Sequence, residues 1–339
     1  MLHTPIEPML AEAADKIPEG TGWRYEPKWD GFRAIVFKNG DTIHLCSREG
    51  KPLERYFPEL LVALKTGLPG DCVVDGEIIL PTSTGLDFDV LQQRLHPAAS
   101  RVQKLSVETP TAFVAFDVLE ANGQNVMGKT FTDRRAILEK LVHQMPDVFV
   151  TLQTPSAKEA GEWFHEFEGA GCDGVIARRE ELPYSPGKRV MLKIKHGRTA
   201  ECVVGGFRVG KSPETVGALL LGLYDSSGVL HFVGHTSSFK AKEKKELFVQ
   251  FNALCGDSFG QGRTPGAVSR WSAGKDMEWF AVKPIKVCEV RYDYLQGVRF
   301  RHGTTFLRWR EDRSPASCLF SQLEPPKPFS LKKLMPVRS

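Results

Sequence analysis

Apolar and polar positions change their rhythm twice along the chain. Residues 25–38, 72–80 and 113–119 are rich in β-branched and aromatic side chains and are bounded by Gly, Pro or Asp, which predicts strands. Between them, the apolar residues of 58–65 recur at helical spacing and stop at Gly67. Residues 133–143 follow Thr132, a residue suited to capping a helix start. Ser156, with Glu159 three positions on, makes a capping box and predicts a helix running to Gly169 or Gly171. Strands interleaved with helices in this way predict a mixed α+β first part.

After Lys195 the strands come close together: 201–209, 218–224, 230–235, 286–294 and 304–309. One amphipathic helix, 240–254, interrupts them. Five strands with one inserted helix predict a small oligonucleotide-binding β-barrel, an OB-fold. The boundary falls at His196-Gly197-Arg198, with Gly197 as a hinge. The expected domains are therefore 1–197 and 198–325, followed by a basic tail, 326–339. That tail carries Lys327, Lys332, Lys333 and Arg338 and is expected to be mobile.

Composition adds exclusions. With 339 residues, 41% hydrophobic and 25% charged, the chain has ordinary globular usage and length for two domains at ~150 residues each. Lys and Arg number 45 against 41 Asp and Glu, a net +4 that permits a polyanionic partner without requiring one. The seven cysteines are an odd number with no C-x-x-C pair, which argues against a disulfide framework or a Cys-rich zinc site. Residues 1–18 contain Glu7, Glu12 and Asp15 and no apolar signal core, and no apolar run approaches the ~20 residues of a membrane span. The expected location is the cytoplasm.

Residues 205–212 fit the phosphate-loop pattern G-x-x-x-x-G-K-S letter for letter. Their context does not fit, because Pro213 biases Ser212 away from helical angles and a strand follows Gly217. A β-hairpin turn with an exposed Lys211 is the expected structure.

Glu26-Pro27-Lys28-Trp29-Asp30-Gly31-Phe32-Arg33 contains K-x-D-G-x-R at an expected strand end. Four fixed positions arise by chance in a chain of this length on the order of a few times in a thousand. A lysine beside Arg33 and a divalent cation has its ammonium form disfavoured, and a neutral amine is a nucleophile.

By these residues the chain resembles the covalent nucleotidyltransferases, and specifically ATP-dependent DNA ligases of the small bacterial ligase C type. The resemblance implies a nucleotidyltransferase domain before the OB-fold, with Lys28 attacking the α-phosphate of ATP and holding AMP as a phosphoramidate. Further motifs follow in the family's order. Ser47-Arg48-Glu49-Gly50 resembles the motif whose Arg, here Arg48, reaches the ribose and the nick 5′-phosphate. In Val74-Asp75-Gly76-Glu77, Glu77 matches the acid that contacts ribose or metal. Phe116, in the run 113–119, matches the aromatic that stacks on adenine, and Glu26 the residue that helps select adenine. Cys172-Asp173-Gly174-Val175-Ile176-Ala177-Arg178 has Asp173 where the family has Glu and Arg178 where it has Lys, and the metal role passes to Asp173 with Glu77. Lys193 and Lys195, at strand period two, match the pair that holds the α-phosphate. Arg310-Glu311-Asp312-Arg313 resembles the C-terminal R-x-D-K motif that orients the β- and γ-phosphates, with Arg313 in place of Lys.

The expected activity is ATP-dependent sealing of a 5′-phosphate/3′-hydroxyl nick in double-stranded DNA, with Mg²⁺ or Mn²⁺, by a monomer working in repair beside a DNA-repair polymerase. ATP is expected over NAD⁺ because no Cys-rich finger is visible. Lys240, Lys242, Lys244, Lys245, Arg198, Arg208 and Lys211 are candidates for a cationic DNA track, or else a solvated face. Gln92, Gln93, Arg94 and His96 are left open between DNA contact and helix capping. The rivals are an RNA ligase or GTP-using capping enzyme of the same superfamily, and a non-catalytic nicked-DNA-binding module.

Overall fold

The polypeptide from Tyr25 onward crosses between two sheets, and that crossing organises the first half of the protein. The structure, a computed structural model, describes residues 5–260, 263–265, 278–323 and 327–335, with only the backbone of Gln296. It divides after His196 into two units, and residues 327–335 belong to the first.

In the first unit the larger sheet has the order Val148–Val150, Ala112–Ala121, Cys72–Ile79, Phe32–Asn39, Thr42–Ser47. Its strand Ala112–Ala121 is buried at every position. Alternate residues explain this, since Phe113 and Ala115 enter one apolar cluster with the helix Pro58–Gly67 while Ala112 and Val114 enter another with Trp29 and Phe149. The smaller sheet runs Leu10–Ala13, Arg189–Lys195, Gly174–Arg179, Trp23–Pro27. Met9 and Met191 from its side meet Ile35, Phe37, Val73 and Leu119 of the larger sheet in a shared core.

The single strand expected over 25–38 is thus two strands in different sheets, Trp23–Pro27 and Phe32–Asn39, and Lys28 to Gly31 make the passage between them. Gly31 is required there, because a Cβ would lie 2.1 Å from the Ile78 carbonyl oxygen.

Two caps differ from expectation. The helix Phe131–Leu141 starts two residues earlier, with the Thr130 hydroxyl accepting from the Asp133 N–H at 3.1 Å, so Thr132 is inside it. The helix Ala157–Glu166 is capped by Ser156, which accepts from Glu159 N–H at 3.2 Å, but the Glu159 carboxylate takes the Thr154 hydroxyl and the reciprocal half of the box is not made. A short turn then ends at Gly171, whose φ of +90° suits glycine.

Arg94 is fully buried, holds Glu59 through two bonds of 2.7 and 2.8 Å and donates to the Thr109 and Tyr56 carbonyls, so it is a packing anchor. His96 accepts from the Ala98 N–H and stabilises the turn into the helix Ala99–Glu108.

In the second unit the strand order is Leu230–Thr236, Val216–Tyr224, Arg198–Val209, Val287–Tyr292, Thr305–Trp309, with every neighbour antiparallel. The sheet is not closed by a continuous ladder; its two outer ends touch at one parallel bridge, Thr236 to Thr304. The helix Ala241–Asn252 seals the core with Leu247 and Phe251. Residues 205–212 form the end of one strand and a hairpin turn closed by the Gly210 N–H on the Thr215 carbonyl at 2.7 Å, with no helix behind Lys211 and Ser212.

Residues 327–335 depart from the expectation of a mobile tail. Leu331 and Leu334 are 6% and 3% exposed, within the cluster of Trp29, Ile79, Phe149 and Phe167. Apolar residues between the lysines, not the lysines themselves, decide this segment's position.

Gly76 lies in a central strand of the larger sheet, and a Cβ there would stand 2.3 Å from the Phe113 ring and 2.4 Å from the Val114 carbonyl. Gly76→Ala is expected to overpack the sheet and lose about 1–3 kcal/mol of stability in urea unfolding; an unchanged midpoint would show that Phe113 moves aside freely.

Candidate active site

Lys28 stands at the end of the strand Trp23–Pro27, where its backbone leaves the smaller sheet. Two backbone bonds clasp it to the facing chain: Lys28 N–H donates to the Gly174 carbonyl at 2.9 Å, and Asp173 N–H donates to the Lys28 carbonyl at 2.7 Å. Gly174 has φ +134°, and a Cβ on it would meet the Ile194 carbonyl at 2.0 Å, so the clasp needs glycine. The clasp faces the two side chains inward. Lys28 Nζ lies 2.7 Å from Asp173 Oδ2, and Lys195 Nζ lies 3.0 Å from the same oxygen. Burial pushes the Asp173 carboxyl up, but Lys28 and Lys195 outweigh it and hold the group below its ordinary value.

An open cleft of about 270 Å³ extends from this pair. Glu26, Lys28, Arg33, Arg48, Glu77, Phe116, Lys193 and Lys195 all line it, together with Arg178 and Arg189. Asp173 is joined to it through its two lysine partners. Lys193 is depressed below the ordinary lysine value, first by burial and then by the charges of Lys195, Lys28, Arg189 and Arg48. Burial pushes Glu77 up to about 8, against the pull of Arg33 and Lys28. The cleft thus carries a surplus of positive charge, and a polyphosphate is the ligand that relieves it.

Behind these groups lie buried ion pairs. Arg33 donates through Nε and Nη2 to the two oxygens of fully buried Asp75, each at 2.6 Å, and Tyr184 adds its hydroxyl to Asp75 at 2.6 Å. Glu26, 2% exposed, lies 3.0 Å from Arg178 Nε and 3.7 Å from Arg135 Nη1. Arg178 also reaches Asp117 at 3.1 Å, and Arg134 holds Asp117 at 2.7 and 3.0 Å. The guanidinium carbons of Arg33 and Arg178 lie 4.6 and 5.0 Å from the centroid of the Phe116 ring. Sequence reading missed Asp75, Asp117, Tyr184 and Arg189. Asp75 was visible inside the D-G-E triplet; the other three carry no local signal, since their partners are distant in sequence.

The two carboxylates nominated for metal, Asp173 and Glu77, are oxygen donors of the kind Mg²⁺ or Mn²⁺ takes, and burial keeps Glu77 raised even against the pull of Arg33 and Lys28. Among the described residues there is no group of three or more metal-binding side chains. The chain therefore fits a cation held by one or two carboxylates plus phosphate oxygens.

Arg310, Asp312 and Arg313 belong to the second unit. Arg310 grips Asp312 with two bonds of 2.9 and 2.8 Å and also bonds Glu201, whose other oxygen takes Arg313 Nε at 2.5 Å. The Arg310 bonds hold the Asp312 carboxyl down at about 2.

A family model for the ATP dependent DNA ligase domain matches residues 8–195, and one for the ATP dependent DNA ligase C terminal region matches 212–313. DNA ligase C2 of Mycolicibacterium smegmatis is 47% identical over 338 residues, covering 95% of each chain. DNA ligase C of Mycobacterium tuberculosis is 47% identical over 352 residues, covering 98% of this chain and 97% of that protein. A solved Lig E DNA ligase superposes with a TM-score of 0.57 at 19% identity, covering 90% of this chain and 99% of that one, a likeness of fold.

The raised Glu77 generates a pH prediction. A carboxyl whose folded value is about 8 against an ordinary 4.5 contributes stability that is present below 4.5 and lost as pH rises through 8. Without nucleotide, Glu77→Gln should match the unsubstituted protein in melting temperature near pH 5 and exceed it by about pH 9. Parallel curves for the two proteins would contradict the shift.

Proposed function

The chain belongs to the ATP-dependent DNA ligase family, and from that membership we propose how its residues share the work. The protein is an ATP-dependent DNA ligase. Lys28 Nζ attacks the α-phosphorus of ATP; the N–P bond forms, the P–O bond to pyrophosphate breaks, and the amine gives up a proton. AMP then passes to the 5′-phosphate of a nick, and the 3′-hydroxyl displaces it to join the strands.

All three steps are displacements at phosphorus, so the protein contributes positioning and charge. Lys193 and Lys195 hold the α-phosphate. Arg48 reaches the ribose and later the 5′-phosphate. Phe116 stacks on adenine, with Arg33 and Arg178 fixing the ring from behind, and Glu26 selects the base while held by Arg178 and Arg135. Asp173 and Glu77 would hold the divalent cation, which when bound neutralises phosphate charge. Arg310, Asp312 and Arg313 orient the departing pyrophosphate. The observation that carries this reading is the gathering of Lys28 and Lys195 on one carboxylate at the edge of a cleft that Phe116 and Lys193 also line.

The domains we assign are a nucleotidyltransferase domain up to 197 and an OB-fold domain over 198–325, the latter supplying a DNA track from exposed Lys211, Lys240, Lys242 and Lys245. Among the described residues no helix is long and apolar enough to cross a membrane. We place the enzyme in the cytoplasm as a monomer, working in repair with a DNA-repair polymerase. The RNA ligase, capping-enzyme and non-catalytic readings are not favoured by relatives that are DNA ligases over almost the whole chain.

A singly nicked DNA duplex with ATP and Mg²⁺ or Mn²⁺ tests the reading: sealing should occur, NAD⁺ should not replace ATP, and Lys28→Ala should abolish it. Binding without sealing would support the non-catalytic module, and preference for an RNA nick the RNA ligase. The affinity for nicked DNA should fall steeply with salt, and Lys211→Ala should reduce the slope of log K against log salt by about 1. A flat salt response would remove the cationic track.

A further inference from the structure

After the second unit the chain returns to the first, and residues 327–335 end directly behind the nucleophile. Leu331 and Leu334 enter one apolar cluster with Trp29 and Cys172. Trp29 is the residue after Lys28, and Cys172 the residue before Asp173. The backbone clasp between Lys28 and Asp173 is therefore flanked on each side by a residue that belongs to the same apolar cluster as this segment. Trp29 is further fixed by its Nε1–H on the Thr151 hydroxyl at 2.8 Å and by the edge of Phe149 at 5.7 Å.

The seat of the segment is shaped for it. Phe329 lies against Phe167 with ring centroids 5.2 Å apart. Gly169 passes so close beneath that a Cβ would stand 1.8 Å from the Lys327 carbonyl oxygen and 2.8 Å from the Phe329 nitrogen. Any other residue at 169 would lift the strap off. The segment packs with the face of the larger sheet that carries Ile79, Ala112 and Val114, and is absent from the cluster on the opposite face.

We propose that residues 327–335 form a strap that positions the Lys28–Asp173 pair for the adenylylation step, with Leu331 and Leu334 as positioning residues acting through Trp29 and Cys172. This rests on the reading of Lys28 as the nucleophile. None of residues 327–335 lines the cleft; the strap acts on the floor on which the clasp stands. A nucleophile displaced by about 1 Å loses on the order of a hundredfold in rate without losing its ligand. Sealing a nick that already carries 5′-AMP makes no demand on the Lys28 amine as nucleophile, so it should fall less than adduct formation.

The test uses the full chain with Leu331→Ala and Leu334→Ala together, the conservative pair Leu331→Met and Leu334→Met, and, separately, Gly169→Ala. Single-turnover formation of the lysyl-AMP adduct is followed across ATP concentrations, and sealing of a pre-adenylylated nick is measured beside it. The alanine pair and Gly169→Ala should slow adduct formation about 10- to 100-fold at saturating ATP, with half-saturating ATP changed by no more than about threefold and pre-adenylylated sealing falling at least about threefold less than adduct formation. The methionine pair should recover most of the rate, because its volume refills the site. If the alanine pair does not fold, Gly169→Ala alone decides. Adduct formation at the unsubstituted rate, or an equal fall in adduct formation and pre-adenylylated sealing, would overturn the strap. Failure of the unsubstituted protein to form an adduct would instead overturn the reading of Lys28.

Discussion

One carboxylate shared by two ammonium groups sets the character of the cleft. Asp173 is more than half buried, a location that by itself favours the neutral acid, yet Lys28 and Lys195 keep it ionised. The cleft remains short of negative charge, with Arg48, Arg178, Arg189 and Lys193 also on its lining, and Lys193 is depressed first by burial and then by its cationic neighbours. A triphosphate supplies what is missing. In the mechanism we propose, an entering triphosphate draws Lys28 and Lys195 from the carboxylate to phosphate oxygens, so that the attraction that binds the substrate also brings the nucleophile into line.

That exchange works only if the surrounding groups stay still. Arg33 is locked by both oxygens of Asp75, with Tyr184 on the same carboxylate. Glu26, Arg178, Asp117 and Arg134 form a second chain of buried charges around Phe116. Buried pairs repay their desolvation only with several well-aligned bonds, and Arg33 and Arg134 each make two to one carboxylate while Arg178 makes one to Asp117. Their contribution lies in fixing orientation, for Arg33 and Arg178 lie against the ring of Phe116 and Arg178 pairs with Glu26, both of which line the cleft. The substitutions Asp173 for Glu and Arg178 for Lys read coherently in this setting. The guanidinium of Arg178 can engage Glu26 and Asp117 together, which a single ammonium would do less directionally.

Much of this was legible in the residues. The motif at 28–33, the two lysines at strand period and the acids at 77 and 173 are local patterns, and the strands and helices follow from apolar spacing. What escaped was set at long range. Arg33 and Asp75 are 42 positions apart, and Asp117 and Arg178 are 61 apart, so their pairing exists only after both sheets have formed. The passage at 28–31 was hidden because apolar residues continue on both sides of it, and only the close approach of Gly31 to Ile78 marks the change of sheet. The choice of Thr130 over Thr132 as cap turned on which hydroxyl reaches the Asp133 amide. Residues 327–335 misled by their lysines, which outnumber the two leucines that anchor the segment.

The most direct test of the account is the site of covalent labelling. Protein stripped of bound AMP with pyrophosphate, then incubated with α-labelled ATP and Mg²⁺ or Mn²⁺, should carry one acid-labile AMP per chain, and peptide mapping should place it on Lys28. Label on another residue, or none, would contradict the assignment of the cleft and of every role built around it.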